Sequence, residues 1–181
     1  MRTFLVSCLL AALTVAPRAT VLIPADLGEL SREALAIVRG RVASVDARWT
    51  EDHRTIETIV TLEAEGYMKG AFGPTVQFRV PGGELGRFRS IVVGAPEFAV
   101  DQRVVVFLGA HGPSVPYILG FSQGVFRLVR AADNSGWLVT PPANMPSATG
   151  TVPIVRGDTS RRALALDDFE RRVKLLAGGA R

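Results

Sequence analysis

The amino-acid sequence predicts a mainly β protein, a small antiparallel barrel with a short N-terminal helix and a C-terminal helix. Two observations support this fold class. Segments in which apolar and polar residues alternate recur at short intervals, which is typical of half-buried strands. Turn-forming residues, rather than helical patterns, separate most of these segments, which predicts an antiparallel sheet that is closed or nearly closed on itself. About five or six strands make a small barrel of this kind.

Helical spacing of apolar residues occurs once before the strands and once after them. The first pattern begins after Asp26, which is a suitable N-cap residue. The second pattern predicts a helix over residues 166–178, in which Asp167 and Glu170 have the spacing of a capping box. The apolar faces consist of Leu27, Leu30 and Ala34 in the first helix and of Phe169, Val173 and Leu176 in the second.

The strands are predicted from alternation and from apolar runs. Gly40 lies inside the first strand and predicts a bulge or bend, as at the corner of a barrel. In the second strand Val60 and Leu62 are expected to face the core, while Ile59 falls on the wet face. The predicted strands are residues 37–49, 56–69, 75–80, 103–108, 117–119, 125–130 and 137–139, of which 103–108 is expected to be central.

Residues 1–19 have the pattern of a signal peptide. Arg2 precedes an apolar stretch that is too short to span a bilayer but has the length of a signal h-region. Cleavage is predicted after about Ala16 or Ala19, so we expect a secreted or periplasmic protein. A lipoprotein is a weaker alternative, because Cys8 ends a lipobox-like sequence but comes too early. It is the single cysteine of the chain, so the mature chain is expected to have no disulfide and no thiolate metal site.

The expected mature chain divides into three parts. Residues 20–140 form the predicted β-barrel domain, residues 141–165 an extended surface segment, and residues 166–178 a helix that packs on the barrel. No later segment reads as a membrane helix. The formal net charge is +4, and loss of Arg2 and Arg18 with the leader leaves +4 − 2 = +2. Such a weak surplus, without a basic run, does not favour nucleic acid as a partner.

Several short motifs follow one another along the chain: Ile37–Val42, Met68–Gly70, Val80–Gly83, Gly94–Phe98, Val104–Leu108 and Gly120–Gly124. Together they resemble a group of uncharacterised exported bacterial proteins. The resemblance covers most of residues 20–177 and implies export and a shared fold, but no activity. More loosely, the strand pattern is similar to OB-type barrels, including the netrin-like modules of secreted metalloproteinase inhibitors. Those inhibitors chelate zinc through an N-terminal cysteine, which this mature chain lacks, and the segment expected to hold the OB helix is too rich in glycine.

Gly120-Phe121-Ser122-Gln123-Gly124 matches the G-x-S-x-G motif of serine hydrolases. That motif works at a strand–turn–helix elbow, with a histidine further along the chain. Here a strand-like segment follows Ser122, and no histidine follows His111. A serine hydrolase that uses Ser122 is therefore an alternative hypothesis, and we expect a bend between two strands instead.

Other residues with catalytic or metal-binding chemistry have plainer interpretations. Glu57, Glu63 and Glu65 occupy the polar face of one strand, where carboxylates are usually solubilising charges rather than a glycosidase pair. His53 and His111 lie in predicted loops without neighbouring ligands at metal spacing. We predict no catalytic residue, no metal site and no cofactor.

The segment from Gly82 to Phe98, called the excursion below, is the predicted contact surface. Its first residues are not a phosphate loop, because they lack the Lys-Ser/Thr ending and no helix follows. Long irregular segments on a rigid scaffold often bind ligands, although a solvated hairpin is an equally good interpretation. The predicted binding residues are Gly82, Gly83, Arg87, Phe88 and Arg89.

The leading functional hypothesis is an exported, non-enzymatic domain that binds an unknown protein or small molecule outside the cytoplasm. The serine hydrolase is one alternative. A structural or accessory envelope protein, whose tail helix docks on a partner, is another.

Overall fold

The computed structural model describes residues 25–112, 114–142 and 163–178. The predicted signal peptide and most of the predicted extended segment lie outside these ranges. The described part is mainly β with two helices, which confirms the predicted class. The helices are α1 (Leu27–Glu33) and α2 (Leu166–Gly178). The strands are β1 (Ala36–Trp49), β2 (Ile56–Lys69), β3 (Thr75–Pro81), β4 (Gly83–Leu85), β5 (Phe88–Ser90), β6 (Arg103–Gly109), β7 (Tyr117–Ile118), β8 (Val125–Arg130), β9 (Trp137–Thr140) and β10 (Leu164–Ala165).

Eight strands form one hydrogen-bonded sheet in the order β1-β2-β3-β7-β6-β8-β9-β10. A further pairing of β1 with β6 closes a ring through β1, β2, β3, β7 and β6. The pair β3–β7 is parallel, so the expectation of an entirely antiparallel arrangement is wrong at this position. The physical reason is that strand directions cannot alternate around a ring with an odd number of strands. The strands β8, β9 and β10 extend the sheet beyond the ring.

The strand β6 is buried on both faces, as its continuous apolar sequence predicts. Val104, Val106 and Leu108 contribute to one hydrophobic cluster, whose other members come mainly from β1, β2 and β3. Val105 and Phe107 point to the other face and pack in a second cluster with residues of α1, α2 and β8. The two clusters place β6 at the centre of the molecule.

Gly40 makes the bend that was predicted inside β1. The register between β1 and β2 shifts between Arg39 and Gly40. A Cβ atom added to Gly40 would lie 2.2 Å from the carbonyl oxygen of Glu63 and 2.8 Å from Cγ of Leu62. Since real Cβ atoms do not approach a backbone atom so closely, the packing of β2 against this bend requires glycine.

The two helices close the second cluster from outside. Asp26 caps α1, because its carboxylate accepts a hydrogen bond from the backbone N–H of Glu29 at 2.7 Å. The helix α2 begins at Leu166, so Asp167 lies within its first turn and is not the predicted N-cap. Phe169 of α2 is buried against Phe126 of β8, with ring centroids 4.9 Å apart. Within the described residues, neither helix has the length and apolar character needed to cross a membrane.

Ile59 is an exception to the predicted alternation of β2. It was expected on the wet face, but its exposed fraction is 8%. Ile59 lies directly opposite Arg79 of β3 in the antiparallel register. Cross-strand partners share a face, and the methylene stem of an arginine can cover an apolar neighbour. A cross-strand neighbour with a long methylene stem can therefore bury Ile59, which the pattern of β2 alone does not indicate.

Candidate functional site

The excursion starts with a backbone bend that depends on glycine. Gly82 and Gly83 have φ values of 91° and 143°, which side-chain-bearing residues rarely adopt. The N–H of Gly82 donates to the carbonyl of Ile56 at 2.9 Å, and its own carbonyl accepts from the hydroxyl of Thr58 at 2.7 Å. These bonds join the start of the excursion to β2. Gly82 is buried, so this predicted binding residue serves the bend rather than offering a side chain.

The tip of the excursion is the solvated hairpin that was one of the two sequence interpretations. The strands β4 and β5 pair with each other and form a separate two-stranded sheet. Phe88 is 47% exposed and contacts Trp49 of β1 edge-on, with ring centroids 5.3 Å apart. The guanidinium of Arg87 lies 5.0 Å from the centre of the Phe88 ring. Arg89 forms an exposed salt bridge with Glu84 at 2.9 Å. The tip thus presents an aromatic ring with one cation, Arg87, over its face.

The remainder of the excursion has an inner and an outer face. Phe98 packs edge-on against the buried ring of Phe78 at a centroid distance of 5.4 Å, and Ala95 packs on the same cluster. Ile91 and Val93 are 74% and 80% exposed. The inner residues hold the excursion on the ring of strands, while the outer apolar residues remain in solvent.

Two clefts separate the excursion from the ring. The first cleft has a cavity volume of about 440 Å³ and the second of about 470 Å³. Both volumes are in the range of small-molecule sites. The clefts are neighbours, because they share six lining residues, Val80, Pro81, Gly82, Ser90, Val92 and Pro96.

The first cleft is largely apolar. Its wall includes Ile56, Val92, Ile118 and Phe121. Phe121 has a φ of 54°, a left-handed conformation that costs about 1–2 kcal/mol for a residue with a Cβ atom. Strain of this kind often marks functional sites. The position is held across the cleft, since the N–H of Ser122 donates to the carbonyl of Gly94 at 3.0 Å.

Two charged residues line the first cleft, Glu57 and Arg79. Glu57 is already paired, because Nε and Nη2 of Arg48 donate to its Oε1 at 2.9 and 2.8 Å. The guanidinium of Arg79 forms no salt bridge and no hydrogen bond within residues 25–112, 114–142 and 163–178. The cleft therefore has one uncompensated positive charge at its wall.

The second cleft is more polar. Three charged residues, Glu84, Arg89 and Glu97, line it together with Thr58 and Phe98. Glu84 and Arg89 neutralise each other in their salt bridge. Of the predicted binding residues, this cleft contains Gly82, Gly83 and Arg89, whereas the exposed tip contains Arg87 and Phe88. The structure thus brings the predicted residues into one region, but divides them between a cleft and a protruding tip.

The surroundings of Ser122 differ from those of a nucleophile elbow. Phe121–Gly124 form one turn of 3-10 helix, which leads directly into β8. An elbow requires a strand that turns sharply into an α-helix. Gln123 of the same turn is fully buried, and its side-chain oxygen accepts a hydrogen bond from the N–H of Ala25 at 2.9 Å. The motif here connects two strands and anchors the chain before α1, and these contacts lend the hydrolase hypothesis no support.

The carboxylates of β2 have arginine partners on neighbouring elements. Glu63 pairs with Arg41 at 2.6 Å, and Glu65 pairs with Arg103 at 2.9 Å. Arg41 also binds Asp101 at 2.6 Å, just before β6. These hydrogen bonds, with Asp101 first and Glu63 second, raise the pKa of Arg41 above its ordinary value. Each of these acids therefore has a structural role as an ion-pair partner.

The two histidines lie in connections between strands, His53 between β1 and β2 and His111 between β6 and β7. His53 has a φ of 53° in the β1–β2 turn, and its Nδ1 lies 3.2 Å from the carbonyl oxygen of Glu51. His111 stacks on Tyr117 at a centroid distance of 4.8 Å. In the described part of the chain, no group of three or more His, Cys, Asp or Glu side chains is arranged to hold a metal ion.

Comparisons with models of protein families, with curated proteins and with solved structures found no match for this chain. The site is therefore interpreted from its own geometry. Neither Arg79 nor Phe121 is among the predicted binding residues. Arg79 is an ordinary wet-face residue in the alternation of β3, and Phe121 belongs to the serine motif, whose pattern points to Ser122.

Proposed function

We propose that this chain is an exported, non-enzymatic binding domain, in which the ring of strands is the scaffold and the excursion is the binding element. The observation that carries the proposal is the pair of neighbouring clefts between them, each of more than 400 Å³. If the excursion served only to connect β3 with β6, clefts of this size between it and the ring would not be needed. The exposed side chains of Phe88, Ile91 and Val93 add an apolar surface beside the clefts.

We further propose that the ring is a barrel of OB type. Five strands in a closed hydrogen-bonded ring support this assignment. OB-type barrels bind ligands on the face of strands 2 and 3, with the loops between strands 1 and 2 and between strands 4 and 5. The corresponding positions here are β2 and β3, the β1–β2 turn and the β6–β7 connection. The first cleft touches the β1–β2 turn through Thr50 and Thr55 and β3 through Arg79, and Tyr117 directly follows the β6–β7 connection.

Export is supported by the leader pattern of residues 1–19 and by the resemblance to exported bacterial proteins. The intact mass of the protein recovered from the periplasm or medium of a bacterial host checks this part of the proposal. We expect a species that begins after about Ala16 or Ala19. Recovery of the uncleaved chain in the cytoplasm alone would contradict it.

The binding role is tested by cross-linking the tagged protein in its own cell envelope. The triple variant Arg87→Ser, Phe88→Ser, Arg89→Ser removes the cations and the ring from the tip of the excursion. All three residues are exposed, so the variant is expected to fold. We expect a partner that is captured by the wild-type protein to be lost from this variant.

A matched control is available on α2. Arg171, Arg172 and Leu175 are also two arginines and one large apolar residue, all exposed, and Leu175 is 73% exposed. The triple serine variant at these positions should retain the partner. Loss of the partner from the α2 variant, with retention in the excursion variant, would replace the proposal by the accessory envelope protein that docks through its tail helix. Retention in both would reject the excursion as the contact surface.

A further inference from the structure

We propose that the first cleft binds a small molecule in which a carboxylate is attached to an apolar body, and that Arg79 is the residue that recognises the anion. This inference rests on the proposed binding function and specifies its ligand class. Three independent observations support it: the position of Arg79, the lack of a partner for its guanidinium, and the apolar wall around it.

The backbone of Arg79 is held on both sides. It pairs with Ile59 of β2 and with Tyr117 of β7, and its N–H donates to the carbonyl of Pro116 at 2.8 Å. Strands that are bonded at both edges position a side chain more accurately than a free loop does. The guanidinium is therefore carried to the cleft by a rigid element.

The charge balance of the cleft calls for one anion. Glu57 has its compensating cation in Arg48, whereas the half-buried Arg79 has none within the described ranges. Most arginines on the neighbouring strands, including Arg39, Arg41 and Arg103, have carboxylate partners. The guanidinium fork matches a carboxylate with two parallel hydrogen bonds. A ligand with a carboxylate would therefore provide the anionic partner that Arg79 lacks within the described ranges.

The rest of the wall selects an apolar body. Ile56, Val92, Pro96, Ile118 and Phe121 surround the cleft, and its volume of about 440 Å³ suits a compact aromatic or short aliphatic group. Thr50, Thr55, Ser90 and Tyr117 also line the cleft, but a strongly polar ligand such as a sugar would lose hydration against the apolar part of the wall without replacement. In an apolar acid, the apolar body would pack against the wall and the carboxylate would bind Arg79.

The test uses two ligands of nearly equal size and shape, the anion 2-naphthoate and the neutral 2-naphthamide. Their dissociation constants are measured by calorimetric titration of the purified protein, in the form that the cell produces and without truncation. We expect the wild-type protein to prefer the acid by about tenfold or more, as a charge-assisted hydrogen bond implies. Arg79→Gln should abolish this preference, and Arg79→Lys should retain part of it. Arg171→Gln, which removes the same charge from α2, should leave the preference unchanged.

Each other outcome contradicts the inference. Equal binding of both ligands by the wild-type protein would show an apolar cleft without anion recognition, and would leave the proposed binding function standing. An unchanged preference in Arg79→Gln would place the anion site elsewhere. Binding of neither ligand at millimolar concentration would reject this ligand class. The cross-linking experiment on the excursion is independent of all three results.

The same chemistry occurs at the C-terminus of a peptide that ends in an apolar residue. A second pair, acetyl-Ala-Ala-Leu as the free acid and as the amide, distinguishes the two sources. If the preference for the acid over the amide is stronger in the naphthalene pair, the ligand is a small molecule, as proposed. A preference confined to the peptide pair would overturn that choice in favour of a protein C-terminus.

Discussion

Phe78 in the ring and Phe88 in the excursion show how differently the two regions use apolar residues. Phe78 is fully buried in the cluster inside the ring, where Phe98 packs on it. Phe88 is 47% exposed and contacts Trp49 through one edge. The strands of the ring pair with neighbours on both sides, whereas β4 and β5 pair only with each other. Stability is thus concentrated in the ring, and accessible apolar surface in the excursion.

This difference has a functional consequence. A binding element can keep exposed apolar side chains when another region supplies the folding free energy. The excursion is tied down by the bend at Gly82, by Phe98 and by the bond from Ser122 to Gly94. Substitutions should therefore separate into those that unfold the protein and those that change only the excursion.

The largest expected effect is that of Phe78→Ala. Truncation of a fully buried phenylalanine leaves a cavity, and we expect the free energy of unfolding to fall by about 3–5 kcal/mol. Phe88→Ala is the matched substitution in the excursion and should cost about 1 kcal/mol or less. Urea unfolding measures both values. Similar losses for the two variants would refute the separation between ring and excursion.

A second comparison concerns glycines. Gly40→Ala places a Cβ atom against backbone of β2, and overpacking of this kind costs about 1–3 kcal/mol. Gly136→Ala is the control, since a Cβ atom there would meet no other atom within 4 Å and no left-handed φ is involved. We expect its thermal midpoint to equal that of the wild-type protein. A well-tolerated Gly40→Ala would show that β1 does not need the bend.

A smaller effect on stability is expected from substitution of Arg41. This residue forms ion pairs with Glu63 of β2 and with Asp101, which lies between the excursion and β6. Arg41→Gln should lower the thermal midpoint by about 1–2 °C at low salt. The difference should disappear at 1 M salt, because exposed ion pairs are screened. Amide exchange near Asp101 should increase more than exchange in β6, and a uniform increase would argue against a local anchor.

The smallest expected effect is a change in the pKa of Asp52, which lies in the β1–β2 turn. The hydroxyl of Thr50 donates to the carboxylate of Asp52 at 2.6 Å and, as the main cause, holds the pKa of Asp52 below its ordinary value. The lowered pKa means that the contribution to stability is present above the unfolded-state pKa of about 3.9 and is lost as the pH falls through the folded-state pKa. Thr50→Val should raise the pKa of Asp52, as followed by NMR titration. An unchanged pKa would assign the effect to the backbone N–H of Arg54.

Much of the fold could be predicted from local patterns. The alternation of Val76, Phe78 and Val80 identified β3, and the apolar run of β6 identified a strand that is buried on both faces. The bend at Gly40 and the cap at Asp26 were also predicted correctly. The capping box at Asp167 was wrong because α2 begins one residue earlier, at Leu166. The exposure of Ile59 was wrong because it depends on a neighbour that is distant in sequence.

The candidate site was predictable in region but not in detail. Gly82, Gly83 and Arg89 line the second cleft, yet the first cleft depends on Arg79, which has the same alternating signal as Gln77 two residues earlier. Only Arg79 meets Tyr117 across the parallel pair of β3 and β7. No pattern within β3 distinguishes the two side chains, since the difference arises from the chain that passes beside them.

The sequence by itself determined the strands of the ring, the bend at Gly40 and the cap of α1, because the period of a strand, the sterics of glycine and the capping of a helix act over a few residues. The tertiary structure alone decided that β1 pairs with β6, that β3 meets β7 in parallel, and that Arg79 has no partner in the described ranges. These features depend on contacts between residues that are far apart along the chain. Ring closure places those residues side by side, and the clefts follow from it.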